Sequence, residues 1–385
     1  MSERTIAVVT GTRAEFGLLQ SSMRLIREHP DLTLVTVATG MHLSPRHGYT
    51  VDDIREAGFT VDHEVEMLLE GDSGRSMAKS LGLGTLGLAD ALSLTDPAAI
   101  LVLGDRDEAL AAALAGAHMN IPVAHIHGGD AMQGAIIDDS IRHAITKFAH
   151  LHFPASPTSA ERILELGEEP WRVTTAGAPG LDDIHAGDYL DESTVVERFD
   201  LDSSRHLVLV VQHPLTIRPA AAGEQMQRTL EAVLDVDAEV LCIYPNADAG
   251  GKRMIEVIEA QAETAGVRTV ENVPRAVFLG LLEAADALVG NSSSGIIEAP
   301  SFGLPVVNVG PRQEGRERAD NVIDVPHETA AIREGVRQAL EDESVRERAA
   351  ACENPYDQGG AADRIVERLS SVELGETLLR KRLTY

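Results

Sequence analysis

The sequence is poor in aromatic residues, in cysteine and in long apolar runs. Aromatics make up 3% of its 385 residues while hydrophobic residues make up 44%, so its cores must be aliphatic. Two cysteines, Cys242 and Cys352, are too few for a disulfide framework or a metal cluster. No apolar run approaches the roughly 20 residues needed to cross a membrane. The first residues, MSERTIAVVT, predict a strand rather than a signal peptide. We therefore expect a cytoplasmic protein of two ordinary domains.

Basic charge is also scarce. The chain has 61 acidic and 33 basic residues, a formal net charge of −28, and its only lysines are Lys79, Lys147, Lys252 and Lys381. Such a surface repels nucleic acid and anionic membranes, so neither is expected as a partner. It is typical of proteins that work in concentrated salt, where screening weakens self-repulsion. The charge indicates habitat and solubility rather than a reaction.

Buried strands alternate with amphipathic or Ala-rich helices along the chain, which is typical of βαβ units in parallel sheets. The pattern predicts an α/β protein with two Rossmann-like domains, residues 1–180 and 181–364, and a helix in 365–385 that packs back on the first. A turn-rich hinge is expected at 176–183 and a surface helix within 185–204. The predicted strands are 5–10, 32–38, 59–63, 99–103, 121–126, 151–153, 171–175, 206–211, 238–244, 267–270, 286–289 and 305–309; the predicted helices include 15–29, 72–94, 107–119 and 138–149.

Two strand-turn-helix units indicate a nucleotide ligand. In GNSSSGIIEAP the strand ends at Gly290, and small polar residues lead into a helix whose positive end suits a phosphate. Glu298 follows about one turn later and is placed to accept hydrogen bonds from ribose hydroxyls. In GTRAEFG the amide of Gly11 and the side chain of Arg13 are candidates for a diphosphate. Either unit alone is compatible with an ordinary helix cap or βα turn, but the pair predicts a ligand lying across the cleft between two domains.

Carboxylates follow two further strands of the first domain. Asp105 comes just after a strand in VLGDRDEAL, where it either N-caps a helix or faces the cleft. HIHGGD then delivers Asp130 into a loop, and Asp138 and Arg142 open the next helix on the same side. The His and Asp spacings match no standard metal-ligand set, so we expect no metal. We interpret this region as a cleft wall where carboxylates move protons and Arg142 holds an anion.

The second domain places polar residues at the corresponding ends of its own strands. His213 follows in QHP and Asn246 in YPNADAG, while VPRAVFL puts Arg275 and Phe278 at a helix start. A histidine in that position is a candidate acid or phosphate contact. The VPRAVFL loop is a candidate cradle for a base.

These motifs, in order from residue 11 to residue 316, resemble the hydrolysing UDP-N-acetylglucosamine 2-epimerases of sialic acid-type biosynthesis. The resemblance spans essentially the whole chain through GTRAEFG, GDRDE, HIHGGD, GAIIDDSIRHAITKFAHLHF, QHP, YPNADAG, VPRAVFL, GNSSSGIIEA and FGLPVVNVGPRQEGR. It implies a glycosyltransferase-B-like architecture with parallel sheets facing a central cleft. It also implies a reaction without cofactor or metal, in which UDP-GlcNAc and water give N-acetylmannosamine and UDP through a 2-acetamidoglucal.

The resemblance also implies roles for individual residues. The carboxylates would be Asp105, Asp130 and Asp138, with His213 near the leaving oxygen and Glu298 on the ribose. The diphosphate positions fall on Arg13 and the serine loop, Ser292, Ser293 and Ser294. Asp130 stands where many hydrolysing members carry Glu, and the GAIIDD loop is one residue longer than the commoner pattern. Which carboxylate is the base, and which acylated sugar fits, stay open.

Several alternatives share these motifs. A non-hydrolysing 2-epimerase giving UDP-ManNAc tends to have an EAG-type sequence in place of HGGD. A hydrolysing 2-epimerase acting on GDP-GlcNAc or on a UDP-2,4-diacetamido sugar would have the same nucleotide motifs. A glycosyltransferase would leave the carboxylates of residues 127–143 without a role, and an inactive UDP-sugar sensor would bind UDP without releasing it. We expect a nucleotide-sugar substrate and a homodimer or homotetramer.

Overall fold

The computed structural model describes residues 4–385 except residues 70, 72, 133–135 and 266. Gly134 and Ala135 of the GAIIDD loop therefore lie outside the described residues. The first half of the chain contains β1 (Arg4–Thr10), α1 (Arg13–Glu28), β2 (Leu32–Thr39), α2 (Val51–Glu56), β3 (His63–Val65), α3 (Gly74–Thr95), β4 (Ala99–Leu103), α4 (Asp107–His118), β5 (Val123–Ile126), α5 (Ile136–Phe148), β6 (Leu151–Phe153), α6 (Pro157–Glu165) and α7 (Gly180–Ala186).

The second half repeats the alternation of strands and helices and ends in a helical segment. Its elements are α8 (Glu192–Phe199), β7 (His206–Val211), α9 (Ala222–Leu234), β8 (Ala238–Ile243), α10 (Gly251–Ala265), β9 (Arg268–Val270), α11 (Arg275–Ala284), β10 (Ala287–Gly290), α12 (Ser294–Ile297), β11 (Val306–Val309), β12 (Val322–Val325), α13 (Thr329–Glu341), α14 (Glu343–Ala351), α15 (Ala361–Ser371) and α16 (Glu376–Leu379).

The strands form two six-stranded sheets in which every pairing is parallel. Their orders are β3-β2-β1-β4-β5-β6 and β12-β11-β10-β7-β8-β9. If the six strands of each half are numbered in chain order, both sheets have the doubly wound Rossmann order 3-2-1-4-5-6. The strand order reverses between β1 and β4 in the first sheet and between β7 and β10 in the second. The predicted fold class, two parallel α/β sheets of glycosyltransferase-B type, is confirmed.

Each sheet is covered by helices on both faces, which is why its strands are continuous apolar runs. In β1, Ile6 and Val8 pack into one cluster while Ala7 and Val9 pack into the other. Ile365 of α15 belongs to the same cluster as Ile6, so the end of the chain packs on the first sheet. The domain boundaries at residues 180 and 364 stay a prediction.

Two strand predictions were wrong. Residues 171–175 form no strand; Pro170–Arg172 is a 3-10 turn, and Val173 makes one isolated bridge, because the buried Arg172 side chain donates to carbonyls of the C-terminal tail. The third strand lies at 63–65 rather than 59–63. The surface helix expected within 185–204 is α8 (Glu192–Phe199), which is shorter than the predicted segment, and α7 (Gly180–Ala186) begins inside the predicted hinge at 176–183. Strand β12 (Val322–Val325) was not among the predicted strands, because it is only four residues long and partly exposed. Among the helices of the described residues, we find none with the length and apolarity required to cross a bilayer.

Candidate active site

The points where the two strand orders reverse face each other across a cavity of about 280 Å³. Loops after β1 and β4 contribute Arg13 and Asp105 from one side, and loops after β7 and β10 contribute His213 and Ser292 from the other. Ligands bind at such reversal points in open α/β sheets because the loops on either side diverge and leave a crevice. The cavity is therefore the candidate active site.

The structure gathers most of the predicted site residues in this cavity. Gly11, Asp130 and Arg142 are exceptions that do not line it. The predicted residues that do line it are Arg13, Asp105, Asp138, His213, Asn246, Arg275, Phe278, Ser292, Ser293, Ser294 and Glu298. Their chemical roles stay predictions, but most of them converge because they lie in the loops and helix starts that follow the carboxyl ends of parallel strands. Asp138 instead lies in the first turn of α5.

The serine loop is held against the sheet by a glycine. Gly290 has φ 138°, and a Cβ atom there would lie 2.1 Å from the carbonyl oxygen of Val211, so no other residue fits without moving the backbone. The loop turns at once into α12, whose Ser294 amide donates to the Ser292 hydroxyl at 3.3 Å. The expected helix is therefore a single turn, Ser294–Ile297, and the phosphate donors it offers are mainly hydroxyls and loop amides.

Glu298 lies one turn beyond the serines and is buried. Its carboxylate accepts a hydrogen bond from Arg275 Nη1 at 2.8 Å, and Arg275 Nη2 donates to the carbonyl of Gly180 at 2.7 Å. Glu298 and Arg275, both predicted to contact the nucleotide, therefore form an ion pair with each other. Through its bond to Gly180, Arg275 also connects the second domain to the segment between the two domains. This pairing fixes the orientation of the Glu298 carboxylate toward the cavity.

His213 is set as a neutral hydrogen-bond donor. Burial, followed by the nearby Arg312 guanidinium, lowers its pKa to about 3. The Asn246 amide donates to Nδ1 at 3.2 Å, so in the neutral ring the proton must sit on Nε2. Its own backbone amide donates to the Asn291 side-chain oxygen at 2.7 Å, which holds the loop. His213 can therefore donate a hydrogen bond to a leaving oxygen without carrying a positive charge.

Asp105 and Asp138 share the cavity but have different partners. Asp105 forms an ion pair with the buried Arg142, whose Nη1 also donates to the Asp130 carbonyl at 3.0 Å. Arg142 therefore supports a carboxylate instead of binding an anion directly. Burial raises the pKa of Asp138 to about 7, and the negative charges of Asp105 and Asp248 act in the same direction. One carboxyl group is thus poised to be protonated near neutral pH beside a second that is ion-paired.

Three further residues were not among the predicted site residues: Arg106 and Arg312, which line the cavity, and Asp248, which contacts Arg106 from an adjacent pocket. Arg106 reaches across the cleft to Asp248 Oδ1 at 3.1 Å, and Arg312 Nη2 lies 3.5 Å from Asp138 Oδ2. Burial would raise the pKa of Asp248, but the guanidinium groups of Arg106 and Arg312 hold it below its usual value. Arg106, Asp248 and Arg312 lie in the motifs GDRDE, YPNADAG and GPRQEGR, respectively. Their position after a predicted strand is the sequence feature that could have identified them.

Asp130 lies behind the cavity wall. It is 2% exposed and lines a separate pocket, where it accepts hydrogen bonds from Ser159 Oγ at 2.7 Å and from Arg316 Nη2 at 2.9 Å. Burial alone would raise its pKa, but the Arg316 guanidinium holds the pKa well below the usual range. In this arrangement its side chain joins the two domains, and its backbone carbonyl orients Arg142.

The first nucleotide motif is only partly free for a ligand. The Gly11 amide donates to Glu15 Oε2 at 2.6 Å, and Arg13 is ion-paired with Asp53. Arg13 still lines the cavity, so a diphosphate there would compete with Asp53 for its guanidinium. Burial and the adjacent Glu108 raise the pKa of Glu15 to about 8, so this carboxyl is mostly protonated at neutral pH.

The described residues contain no cluster of three or more His, Cys, Asp or Glu side chains arranged to hold a metal ion. Both cysteines are free thiols, Cys242 buried and Cys352 half-buried.

Comparisons with known proteins agree with this architecture. A sequence profile of the family described as UDP-N-acetylglucosamine 2-epimerase matches residues 24–370. The UDP-N,N'-diacetylbacillosamine 2-epimerase (hydrolyzing) of Legionella pneumophila is 37% identical over 378 residues, 98% of each chain. The GDP/UDP-N,N'-diacetylbacillosamine 2-epimerase (hydrolyzing) of Campylobacter jejuni is 36% identical over 84% of this chain and 85% of the relative. The structure of UDP-GlcNAc 2-epimerase from Neisseria meningitidis bound to UDP-GlcNAc has a TM-score of 0.80 at 21% identity, covering 95% of this chain and 99% of that one, which shows the fold.

Proposed function

Because the chain belongs to the UDP-N-acetylglucosamine 2-epimerase family, we propose that it is a hydrolysing 2-epimerase of a UDP-linked 2-acetamido sugar. The observation that supports this most is the pair Asp105 and Asp138 in one cavity with the cation of Arg312 and the neutral donor His213. Two carboxyl groups in different environments can divide the roles of base and acid. The cation and the donor can stabilise a departing diphosphate.

The nucleotide would lie along the second domain. Glu298 would accept hydrogen bonds from the ribose, and the loop before α11, with Arg275 and Phe278, would hold the base. The serine loop and Arg13 would bind the diphosphate from opposite sides of the cleft. This placement brings the sugar against the first domain, where Asp105 and Asp138 line the same cavity.

We assign the base to Asp105 and the acid to Asp138. Asp105 removes the C2 proton, and the electron pair forms the C1–C2 double bond as the C1–O bond breaks. The oxygen of UDP takes that bonding pair while His213 and Arg312 stabilise its charge. Asp138 then delivers a proton to the opposite face of C2 as water adds at C1, so the configuration at C2 is inverted. The proton that the water loses restores Asp138, and Asp105 gives up the C2 proton to solvent. Deprotonation at C2 and protonation at C2 need different groups, since they occur on opposite faces.

The sugar itself has two candidates. The motifs of the chain resemble enzymes of UDP-GlcNAc, whereas the relatives at 37% and 36% identity are named for a diacetamido sugar, N,N'-diacetylbacillosamine. Both substrates carry the 2-acetamido group and the C2 proton on which the mechanism depends. We therefore propose the UDP-2-acetamido class and test the two sugars side by side.

Incubation with each UDP-sugar in heavy water, at low and at molar KCl, is expected to give free UDP and the free 2-epimeric sugar. NMR should show one deuterium at C2, because Asp138 returns a proton that comes from solvent rather than the one removed by Asp105. Free UDP together with a product lacking deuterium at C2 would exclude proton abstraction there. A product that is still linked to UDP would identify a non-hydrolysing epimerase instead.

Glu298→Ala is expected to weaken UDP binding by about 1–3 kcal/mol, roughly 5- to 150-fold, the usual effect of losing charge-assisted hydrogen bonds. Arg275 would still donate to the Gly180 carbonyl, which limits the disturbance. Isothermal titration calorimetry measures the affinity, with Glu283→Ala as the control because Glu283 is an exposed acid on α11 outside the cavity. Equal UDP affinities of the two variants would contradict the assignment of Glu298 to the ribose.

A further inference from the structure

Residues 311–318, in the connection between β11 and β12, contact the first domain near both of their ends. At the start of this loop, Arg312 Nη2 lies 3.5 Å from Asp138 Oδ2 at the active-site cavity. Near its end, the carboxylate of Glu317 accepts a hydrogen bond from Ser156 Oγ at 2.7 Å. Because Arg312 and Glu317 are only five positions apart, a displacement of one end of the loop is passed to the other.

Glu317 is bound to the start of α6. Ser156 is the N-cap of that helix, and Thr158 in its first turn donates to the other carboxylate oxygen of Glu317 at 3.2 Å. The dipole of the helix favours a carboxylate at this end, in addition to the two hydroxyl donors. The backbone carbonyl of Glu317 also accepts a hydrogen bond from the buried Tyr356 hydroxyl at 2.7 Å. We call these contacts the Glu317 anchor.

The Glu317 anchor lies beside the segments through which the chain passes between its two domains. The amide of Ala178, within the predicted hinge at 176–183, donates to the carbonyl of Tyr356 at 3.0 Å. Both residues also pack in the same apolar cluster. When two domains rotate about a hinge, the groups nearest to the hinge move least. The anchor therefore gives the loop a fixed end, while Arg312 lies in the cleft between the domains.

We propose that the Glu317 anchor holds Arg312 against Asp138, which makes Glu317 a positioning residue for the acid of the reaction. The inference rests on the proposed function, because Asp138 is the acid only in that reaction. Glu317 itself does not line the cavity, so its effect on the chemistry passes through the loop.

The ionisation of Asp138 depends on where Arg312 lies. The groups whose charges act on Asp138 are two anions and two cations: Asp105, Asp248, Arg312 and Arg106. If Arg312 moved away, one of the two cations that favour the ionised form would be lost, and the pKa of Asp138 would rise above about 7. Removal of the negative charge of Glu317 alone would change this pKa in the opposite direction. The sign of the change therefore separates a displaced Arg312 from a lost charge.

Glu317→Ala in the full chain tests the positioning role, with the UDP-sugar that the wild type converts. We expect kcat to fall about 10- to 100-fold, the effect of misplacing a reacting group by about 1 Å, and KM to change less. The pH at which activity falls should move upward from about 7 by at least about 0.5 pH unit. Glu314→Ala is the matched control, because Glu314 is an exposed acid of the same loop, and it should behave as the wild type.

Glu317→Gln should recover most of the wild-type kcat and pH dependence, because its amide group can still pair with the hydroxyls of Ser156 and Thr158. Recovery in this variant would show that the contact, rather than the charge, positions the loop. Equal kcat values and equal pH profiles in Glu317→Ala and Glu314→Ala would overturn the proposal.

Hydrogen–deuterium exchange, measured by mass spectrometry, tests the Glu317 anchor without turnover. The amides of residues 311–318 should exchange faster in Glu317→Ala than in Glu314→Ala, because only the first variant releases the end of the loop. Equal exchange in the two variants would overturn the proposal. Faster exchange in Glu317→Ala, combined with a wild type that converts neither UDP-sugar, would support the anchor and refute the proposed function instead.

Discussion

Asp138→Asn is expected to lower turnover by at least about 100-fold, the usual contribution of a general acid or base. The change keeps the size of the side chain and removes its proton, while the serine loop and Glu298 that would hold the nucleotide are untouched, so UDP should still bind. Asp139→Asn is the matched control: Asp139 is the next residue of α5, and its Oδ1 accepts the Met132 amide at 2.8 Å, a bond that asparagine retains. That control should turn over close to the wild-type rate.

The pH dependence of kcat/KM identifies the role of Asp138 more sharply. Its pKa is raised to about 7 by burial and by the neighbouring acids, so the group is protonated below that pH and ionised above it. If Asp138 delivers the proton, activity falls as the pH rises through about 7, and this limb disappears in Asp138→Asn. Activity that instead rises through the same range would make Asp138 the base and Asp105 the acid.

Because the proposed steps use only protein side chains, EDTA is expected to leave turnover unchanged.

Arg316→Met is expected to lower the free energy of unfolding by about 3–5 kcal/mol, because it leaves Asp130 as a buried carboxylate without its cation. Both side chains are almost fully buried, and their 2.9 Å contact joins the two domains. Arg318→Met in the same loop is the control, since its partner Asp324 is 62% exposed and such a pair contributes about 0–1 kcal/mol. Urea unfolding followed by circular dichroism at fixed salt measures both variants.

Unfolding of the two variants at the same urea concentration would show that the Arg316–Asp130 pair does not hold the domains together. Asp130 would then be free to act at the sugar, as the family resemblance implies. Turnover of Asp130→Asn tests that role directly: loss of at least about 100-fold with unchanged unfolding would place Asp130 in the chemistry. A lowered stability with near wild-type turnover would make it a positioning residue.

Much of the site could be predicted from the sequence, because its residues obey a local rule. Asp105 and His213 each follow an apolar run that is long enough for a buried strand and is bounded by turn residues. Parallel strands present their carboxyl ends at one edge of the sheet, so residues at those positions must converge whatever the details of packing. The errors have the same origin. Residues 171–175 resemble a strand locally, but the carbonyl groups that accept hydrogen bonds from the Arg172 side chain belong to the C-terminal tail, far away in the sequence.

The sequence by itself determined the alternation of strands and helices, the doubly wound sheets and the polar residues at the strand ends. Only the tertiary structure decided which charges meet: Arg312 approaches Asp138, Arg106 reaches Asp248, and Arg316 holds Asp130, each pair separated by more than 140 residues. These contacts depend on how two independently formed sheets face each other. A carboxyl group's ionisation depends on its burial and on charges within a few ångströms, and neither is encoded in neighbouring residues. Sequence periodicity therefore identifies the acids of this protein, whereas the packing of its two domains determines which of them is protonated.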